Sequence, residues 1–307
     1  MKKVISYSLW GSDPLYTVGA IRNAEMNPNI FGNDWISRFY VGNDVPMDIV
    51  NKINGFSNTE IMIMYKENPD WTGMFWRFWG ISDEDVDIII FRDTDSRPSK
   101  RDALAVSEWV DSGKLVHVMR DHPYHTEPIM GGMWGCKAKE TFDKLFNIIF
   151  GDTQVEKTMR HLIDKWIQTE KEKTMKVHIL NQRRNADALT MNYMKPDVYF
   201  KKGIDQLFLR AVIYKALNDD IYIHDAFPLY NAFSGCFDEQ RYFTSPLGRG
   251  CKKELSTGFP SARGDFEVDQ WNDFIGQVYD ENDIPNKEYA ELLKQRDECI
   301  YMDWDKE

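Results

Sequence analysis

The feature that most constrains this chain is a short apolar segment that an acidic triplet follows closely. Residues 86–91 read Val-Asp-Ile-Ile-Ile-Phe, and Asp93-Thr94-Asp95 begins two residues further on. A run of this length is typical of a central strand that is covered on both faces. Residues two apart on a strand point the same way, so Asp93 and Asp95 can converge at the carboxyl end of this strand. Open α/β sheets bind ligands at that edge.

The patterns on either side predict an α/β fold. Strands are expected at 3–9, 35–41, 60–64 and 115–119, and helices at 15–26, 45–53, 71–80 and 99–111. This alternation predicts a Rossmann-like, mostly parallel central sheet with flanking helices. The second half is expected to be more helical, with helices at 138–150, 153–171 and 204–217, a strand at 220–224 and long loops over 231–267.

Composition narrows the class of protein. The chain has 307 residues and a net charge of −11, which argues against broad non-specific binding to nucleic acids or acidic membranes. Its four cysteines form no CxxC pair, so neither a structural zinc site nor a disulfide framework is indicated. No stretch approaches the roughly 20 apolar residues of a membrane helix. We therefore expect a cytoplasmic protein without membrane contact, for example in a bacterium or a virus-infected cell.

The acidic triplet suits a hard divalent cation. Carboxylate oxygens prefer Mn²⁺ or Mg²⁺ to softer metals. An ion held by Asp93 and Asp95 could bridge a diphosphate and stabilise the charge that grows on it as a leaving group. The alternative is that the two carboxylates are solvated and cap the next helix.

Trp76-Arg77-Phe78, an acidic turn, and the segment from Val86 to Ser96 together resemble the centre of GT-A glycosyltransferases, in particular the glycogenin and bacterial galactosyltransferase group. The resemblance covers about residues 1–140. It implies a GT-A fold and transfer of a sugar from a nucleotide sugar, with a UDP-sugar as the expected donor, to a hydroxyl acceptor. The site residues that it implies are Asp93 and Asp95 for metal, Asp93, Thr94 and Arg77 for the donor, and Leu9, Trp10 and Tyr16 for base and ribose.

Three further elements resemble the same group. Gly131-Gly132 resembles the segment that lines the sugar pocket, although paired glycines also mark strand bulges. Asp205-Gln206 resembles the start of a helix whose Asp faces donor sugar and acceptor, although Asp205 could simply cap that helix. His224, at the end of a short strand, is where the group often supplies a third metal ligand. By the same resemblance residues 1–307 form one catalytic domain, with 1–125 as the donor-binding half and 126–307 as the acceptor-side half.

A polar stretch follows the next predicted strand, over residues 119–125. Asp121 within it could act as a general base toward an acceptor hydroxyl, if the enzyme inverts configuration. Arg120 could contact phosphate or sugar. The alternative is a polar turn.

Two rival functions and the acceptor stay open. A haloacid-dehalogenase-like phosphotransferase would use Asp93 as a nucleophile, but such enzymes need an acidic pair after an apolar strand, whereas Asp219-Asp220 precedes its strand. A non-catalytic protein that binds nucleotide sugars is the other rival. The acceptor could be a glycan, a small molecule, or hydroxymethylated cytosine in phage-type DNA, because a basic strip with interleaved aromatics over residues 171–202 could meet phosphates and stack on a base.

Overall fold

The centre of the fold is a seven-stranded sheet. The computed structural model describes residues 1–65, 71–122, 127–151, 157–184, 202–225 and 274–291. Its strands are β1 (Lys3–Leu9), β2 (Trp35–Gly42), β3 (Thr59–Met64), β4 (Ile88–Phe91), β5 (Val116–Arg120), β6 (Trp134–Lys137) and β7 (Ile221–Asp225). They lie in the order β3-β2-β1-β4-β6-β5-β7. Every pairing is parallel except those of β6, which runs antiparallel to β4 and β5.

This topology confirms the expected α/β class, with a mostly parallel central sheet and flanking helices. The reversed strand β6 is not predicted by the sequence patterns, because its four residues, Trp-Gly-Cys-Lys, are too few to show an alternation. The other predicted strands are present, with bounds shifted by one or two residues. The predicted loops over 231–267 lie outside the described residues.

Helices cover both faces of the sheet. They are α1 (Pro14–Phe31), α2 (Met47–Asn54), a 3₁₀ helix (Trp71–Ser82), α3 (Lys100–Asp111), α4 (Ala138–Phe150), α5 (Met159–Arg184), α6 (Ile204–Phe208) and α7 (Lys215–Leu217). A π-helical segment, Leu209–Tyr214, joins α6 to α7. None of the helices in the described part of the chain is long and apolar enough to cross a membrane.

Helix α1 runs past its predicted end at residue 26 and through Pro28. Asn27 anchors this last part, because its side chain is buried and donates to Ser37 Oγ at 2.8 Å and to Tyr7 Oη at 3.0 Å. Side-chain hydrogen bonds to two strands therefore hold the helix together across a residue that lacks a backbone N–H.

The alternation of β4 explains why it is apolar throughout. Ile88 and Ile90 belong to the core layer beneath α1, α2 and α3, whereas Ile89 and Phe91 belong to the layer beneath the 3₁₀ helix, α4 and α5. On that second side the ring of Phe91 lies 5.0 Å from that of Phe78 and 4.3 Å from that of Trp134, centroid to centroid. The predicted double coverage of this strand is confirmed.

Candidate active site

The acidic turn after β4 is held in place from two sides. Gly19 of α1 abuts the Thr94 carbonyl so closely that a Cβ there would lie 1.9 Å from the oxygen. Asn23, one turn further along α1, donates from Nδ2 to the Asp93 carbonyl at 3.3 Å. From the other side the Tyr279 amide donates to the Asp95 carbonyl at 2.8 Å. The backbone of the turn is therefore fixed, while the carboxylates of Asp93 and Asp95 stay partly exposed.

A cavity of about 450 Å³ opens beside this turn. Because β1 and β4 are parallel neighbours, the loop after β1 and the turn after β4 emerge at the same edge of the sheet. The lining residues are Ser8, Leu9, Trp10, Gly11, Ser12, Asp13, Tyr16, Trp71, Met74, Arg77, Asp93, Thr94, Asp95, Lys202, Gly203 and Gln206. The structure thus brings Leu9, Trp10, Tyr16 and Arg77 to the acidic turn, as the sequence predicts.

Arg77 ties the acidic turn to α6. Its backbone N–H donates to Ser8 Oγ at 3.0 Å. Its guanidinium donates through Nη1 to Asp93 Oδ1 and through Nη2 to Asp205 Oδ2, the latter at 3.0 Å. Arg77 is 3% exposed and Asp205 is fully buried. Burial raises the pKa of Asp205, against the opposing effect of the Arg77 guanidinium. Asp93, Arg77 and Asp205, which the sequence interpretation names separately as site residues, therefore form one connected cluster.

The paired glycines pack directly against this cluster. A Cβ on Gly131 would lie 2.4 Å from Asp205 Oδ2 and 2.5 Å from Arg77 Nη2. A Cβ on Gly132 would lie 2.0 Å from Asp93 Oδ2. Both glycines support the ion pairs from behind and are absent from the described lining of the cavity. Their expected contact with a donor sugar stays a prediction.

The pKa of the Asp95 carboxyl is shifted by its surroundings. Burial, together with the neighbouring Asp93 carboxylate, raises the pKa of Asp95 to about 7. A cation bound at the turn would favour the ionised form of Asp95. No group of three or more His, Cys, Asp or Glu side chains placed to hold a metal occurs among the described residues. Two carboxylates are nevertheless enough for Mg²⁺-type ions, which take their remaining ligands from substrate phosphates and water. The donor set fits a metal that arrives with a diphosphate.

His224 does not join this site. Its Nδ1 lies 2.9 Å from Nε2 of His117, and its Nε2 lies 3.0 Å from Oε2 of Glu108. His224 is fully buried, and burial lowers its pKa to about 3. Because both ring nitrogens are engaged by β5 and α3, the structure does not place His224 as a third metal ligand. The prediction that His224 is a metal ligand, made from its position at the end of a short strand, is therefore wrong.

The catalytic role that the sequence interpretation gives to Asp121 is also wrong. Its two carboxylate oxygens accept from Nε and Nη2 of Arg101, both at 2.6 Å, and Oδ2 accepts from the Ile275 amide at 3.0 Å. Asp121 and Arg101 are both fully buried. A carboxylate enclosed in this way cannot reach an acceptor hydroxyl, so its role is to join β5 to α3. Arg120, beside it, is 1% exposed and does not line the cavity.

Three lining residues that carry a charge or an aromatic ring are not singled out by the sequence interpretation as residues of this cavity: Asp13, which lies within the loop over residues 9–16 expected to hold the nucleotide, Trp71 and Lys202. Asp13 also has a structural role, because it caps α1 by accepting from the Leu15 amide at 3.0 Å. Lys202 is part of the predicted basic strip, and the structure places it at the cavity instead. Residues 185–201 of that strip lie outside the described residues, so its contact with DNA stays a prediction.

Comparisons with known proteins add little. No protein-family model matches the chain, and no curated protein sequence matches it. Among solved structures the chain is similar to 4-diphosphocytidyl-2C-methyl-D-erythritolsynthase from Anaerococcus prevotii DSM 20548. The identity is 11% and the TM-score 0.31, over 50% of this chain and 78% of that one. Because this likeness is so distant, we base the function on the geometry of the site.

Proposed function

We propose that this protein is a metal-dependent glycosyltransferase of the GT-A type. It would move a sugar from a nucleotide-sugar donor, with UDP as the expected nucleotide, to a hydroxyl acceptor. The observation that carries the proposal is one cavity shared by the Asp93–Asp95 turn, the buried Arg77 and the aromatic loop after β1. A diphosphate, a sugar and a flat base can each meet suitable chemistry there.

The loop after β1 supplies the nucleotide side of the proposed site. Trp10 packs closely against two glycines, since a Cβ on Gly73 would lie 3.0 Å from its Cε3 and one on Gly42 would lie 3.1 Å from its Cβ. Trp76 packs edge-on against it, with ring centroids 6.1 Å apart. A rigid indole and the half-buried ring of Tyr16 are the kind of surfaces on which nucleobases stack.

The acidic turn supplies the metal side. Asp93 and Asp95 would hold Mn²⁺ or Mg²⁺, and the bound ion would supply Lewis-acid stabilisation of a leaving diphosphate. In the transfer itself, the bond between the anomeric carbon and the β-phosphate oxygen breaks, and both electrons stay on that oxygen. The acceptor oxygen forms the new bond to the same carbon and loses its proton to water. The chain's part is to orient the two carboxylates, which the hydrogen bonds to the turn's backbone achieve.

The Arg77–Asp205 pair supplies the sugar side. Asp205 Oδ1 is buried and has no hydrogen-bond partner among the described residues, whereas Oδ2 is taken by Arg77. Asp205 is fully buried and is not among the residues that line the cavity, so its part would be to hold Arg77, which does line it. The acceptor, whether a glycan, a small molecule or hydroxymethylated DNA, stays open in this proposal.

The test is release of nucleoside diphosphate from a panel of nucleotide sugars, with Mn²⁺ or Mg²⁺ and then with EDTA. We expect turnover of one donor that EDTA abolishes. Asp95→Asn should lower this turnover by about 100-fold or more, whereas the control Asp48→Asn, on the exposed face of α2, should not. Metal-dependent binding without turnover would favour a non-catalytic protein. Release of phosphate from simple phosphomonoesters, without any use of nucleotide sugars, would favour the phosphotransferase and refute the proposal.

A further inference from the structure

The charges that line the cavity leave a diphosphate short of positive partners. Three carboxylates, on Asp13, Asp93 and Asp95, face two cations, on Arg77 and Lys202. Both terminal nitrogens of Arg77 already donate to carboxylates. A divalent ion bound to the acidic turn would offset part of the negative charge. The lysine is therefore the cation in this lining that can still turn to a substrate phosphate.

Lys202 lies at the mouth of the cavity, above an aromatic ring. Its Nζ is 5.9 Å from the centroid of the Trp71 ring, within the range of a cation–π contact. The residue is exposed, and among the described residues its ammonium group contacts this ring rather than a carboxylate. Trp71 itself is 37% exposed and belongs to the 3₁₀ helix that also carries Arg77. The aromatic ring limits where the flexible lysine side chain can go.

Lys202 directly precedes the helix that carries Asp205. Gly203, the next residue, has φ +92° and is the N-cap of α6, two residues before the buried Asp205. Lys202 and the Asp93–Asp95 turn line the same cavity. The ammonium group is therefore available to a diphosphate bound in that cavity.

We propose that Lys202, oriented by Trp71, contacts the diphosphate of the donor and of the released nucleoside diphosphate. This assignment rests on the proposed glycosyl transfer. Breaking the bond to the sugar leaves one more negative charge on the β-phosphate, so a nearby ammonium group stabilises the product side more than the bound donor. Lys202 is then a catalytic residue, and Trp71 is a positioning residue that acts through it.

The test measures binding of UDP, UMP and uridine by isothermal titration calorimetry in the presence of Mn²⁺. If the donor panel selects another nucleotide, the corresponding series replaces them. Lys202→Met should weaken UDP binding by about 10- to 100-fold and leave uridine binding unchanged, because only the diphosphate loses a charged contact. Lys202→Arg should retain most of the affinity. Lys52→Met, which removes an exposed lysine of α2, is the matched control and should bind all three ligands like the wild type.

Trp71→Leu should weaken UDP binding by about three- to tenfold more than it weakens uridine binding, since a merely structural loss would affect both ligands equally. UDP binding that is unchanged in Lys202→Met, or equally weakened in Lys52→Met, would overturn the role of Lys202 while leaving the transferase proposal intact. If wild-type protein binds no nucleotide in this series, both proposals fail together.

Discussion

The Arg77 cluster makes a strong prediction about stability. Arg77 is 3% exposed, and it is the ion-pair partner of a carboxylate, Asp205, that is fully buried. Replacing Arg77 with Met keeps much of the side-chain volume but leaves the Asp205 carboxylate buried without its cation. Breaking one half of a buried pair in this way typically costs about 3 to 5 kcal/mol. We expect Arg77→Met to lower the free energy of unfolding at pH 8 by that amount.

The loss should depend on pH in a defined direction. The pKa of Asp205 is already raised by burial, and Arg77 is the main group that lowers it, so the variant should raise it further. A carboxyl with a raised pKa in the folded state binds its proton more tightly there than in the unfolded chain. Its contribution is therefore least unfavourable at low pH and becomes destabilising as pH rises above the unfolded carboxyl pKa of about 4. The loss should be clearly smaller at pH 5 than at pH 8.

Urea unfolding at both pH values, followed by tryptophan fluorescence, measures the effect. The double variant Arg77→Met/Asp205→Asn should recover part of the loss, since removing both charges avoids the unpaired one. Arg22→Met is the control, because the ion pairs of Arg22 are exposed and should contribute less than about 1 kcal/mol. A loss below about 1 kcal/mol for Arg77→Met at pH 8, or a loss equal at both pH values, would refute this account of the cluster.

Three further outcomes are expected. Because the pKa of Asp95 is raised to about 7, a metal must displace a proton from this carboxyl below that pH. The Mn²⁺ affinity, measured by titration calorimetry, should therefore fall by about tenfold per pH unit on acidification below that pH. A pH-independent affinity would contradict this prediction. Gly132→Ala should push the Asp93 carboxylate aside and cost about 1 to 3 kcal/mol of stability. It should also weaken Mn²⁺ binding by about tenfold or more. An unchanged Mn²⁺ affinity would show that Asp93 is not a ligand. Asp121→Asn should cost about 3 to 5 kcal/mol in urea unfolding, because it removes the negative charge that faces the buried Arg101 guanidinium, while turnover per folded molecule stays near wild type. A folded but inactive variant would restore the catalytic assignment of Asp121.

The sequence predicts the central part of the fold and one side of the site well, for a clear reason. A strand such as β4 can be recognised from its run of apolar residues. Parallel neighbouring strands must end at the same edge of the sheet. These two rules suffice to bring the loop after β1 to the Asp93–Asp95 turn. They do not specify the antiparallel β6, which is short and whose place between β4 and β5 depends on tertiary pairing.

The same rules cannot distinguish the structural role of Asp121 from the place of Asp95 in the candidate site, since both residues follow an apolar strand. The difference lies in the first turn of α3, where two adjacent buried residues, Arg101 and Asp102, point at the ends of two strands. Arg101 pairs with Asp121, and Asp102 accepts from Arg92 at 2.6 and 2.7 Å. The polar groups that α3 engages are structural. Sequence spacing shows neither pair, because both depend on how the helix packs across the sheet.

A similar argument applies to the far end of the chain, which completes the acidic turn. Arg97, two residues beyond Asp95, donates to Asp283 Oδ1 at 3.0 Å, and its guanidinium lies 5.5 Å from the centroid of the Tyr279 ring. The amide of Tyr279 in turn donates to the Asp95 carbonyl. These contacts join residues more than 180 positions apart. The geometry of the proposed metal site therefore depends on a segment far away in the sequence. The acidic motif alone cannot show whether its carboxylates are held in place.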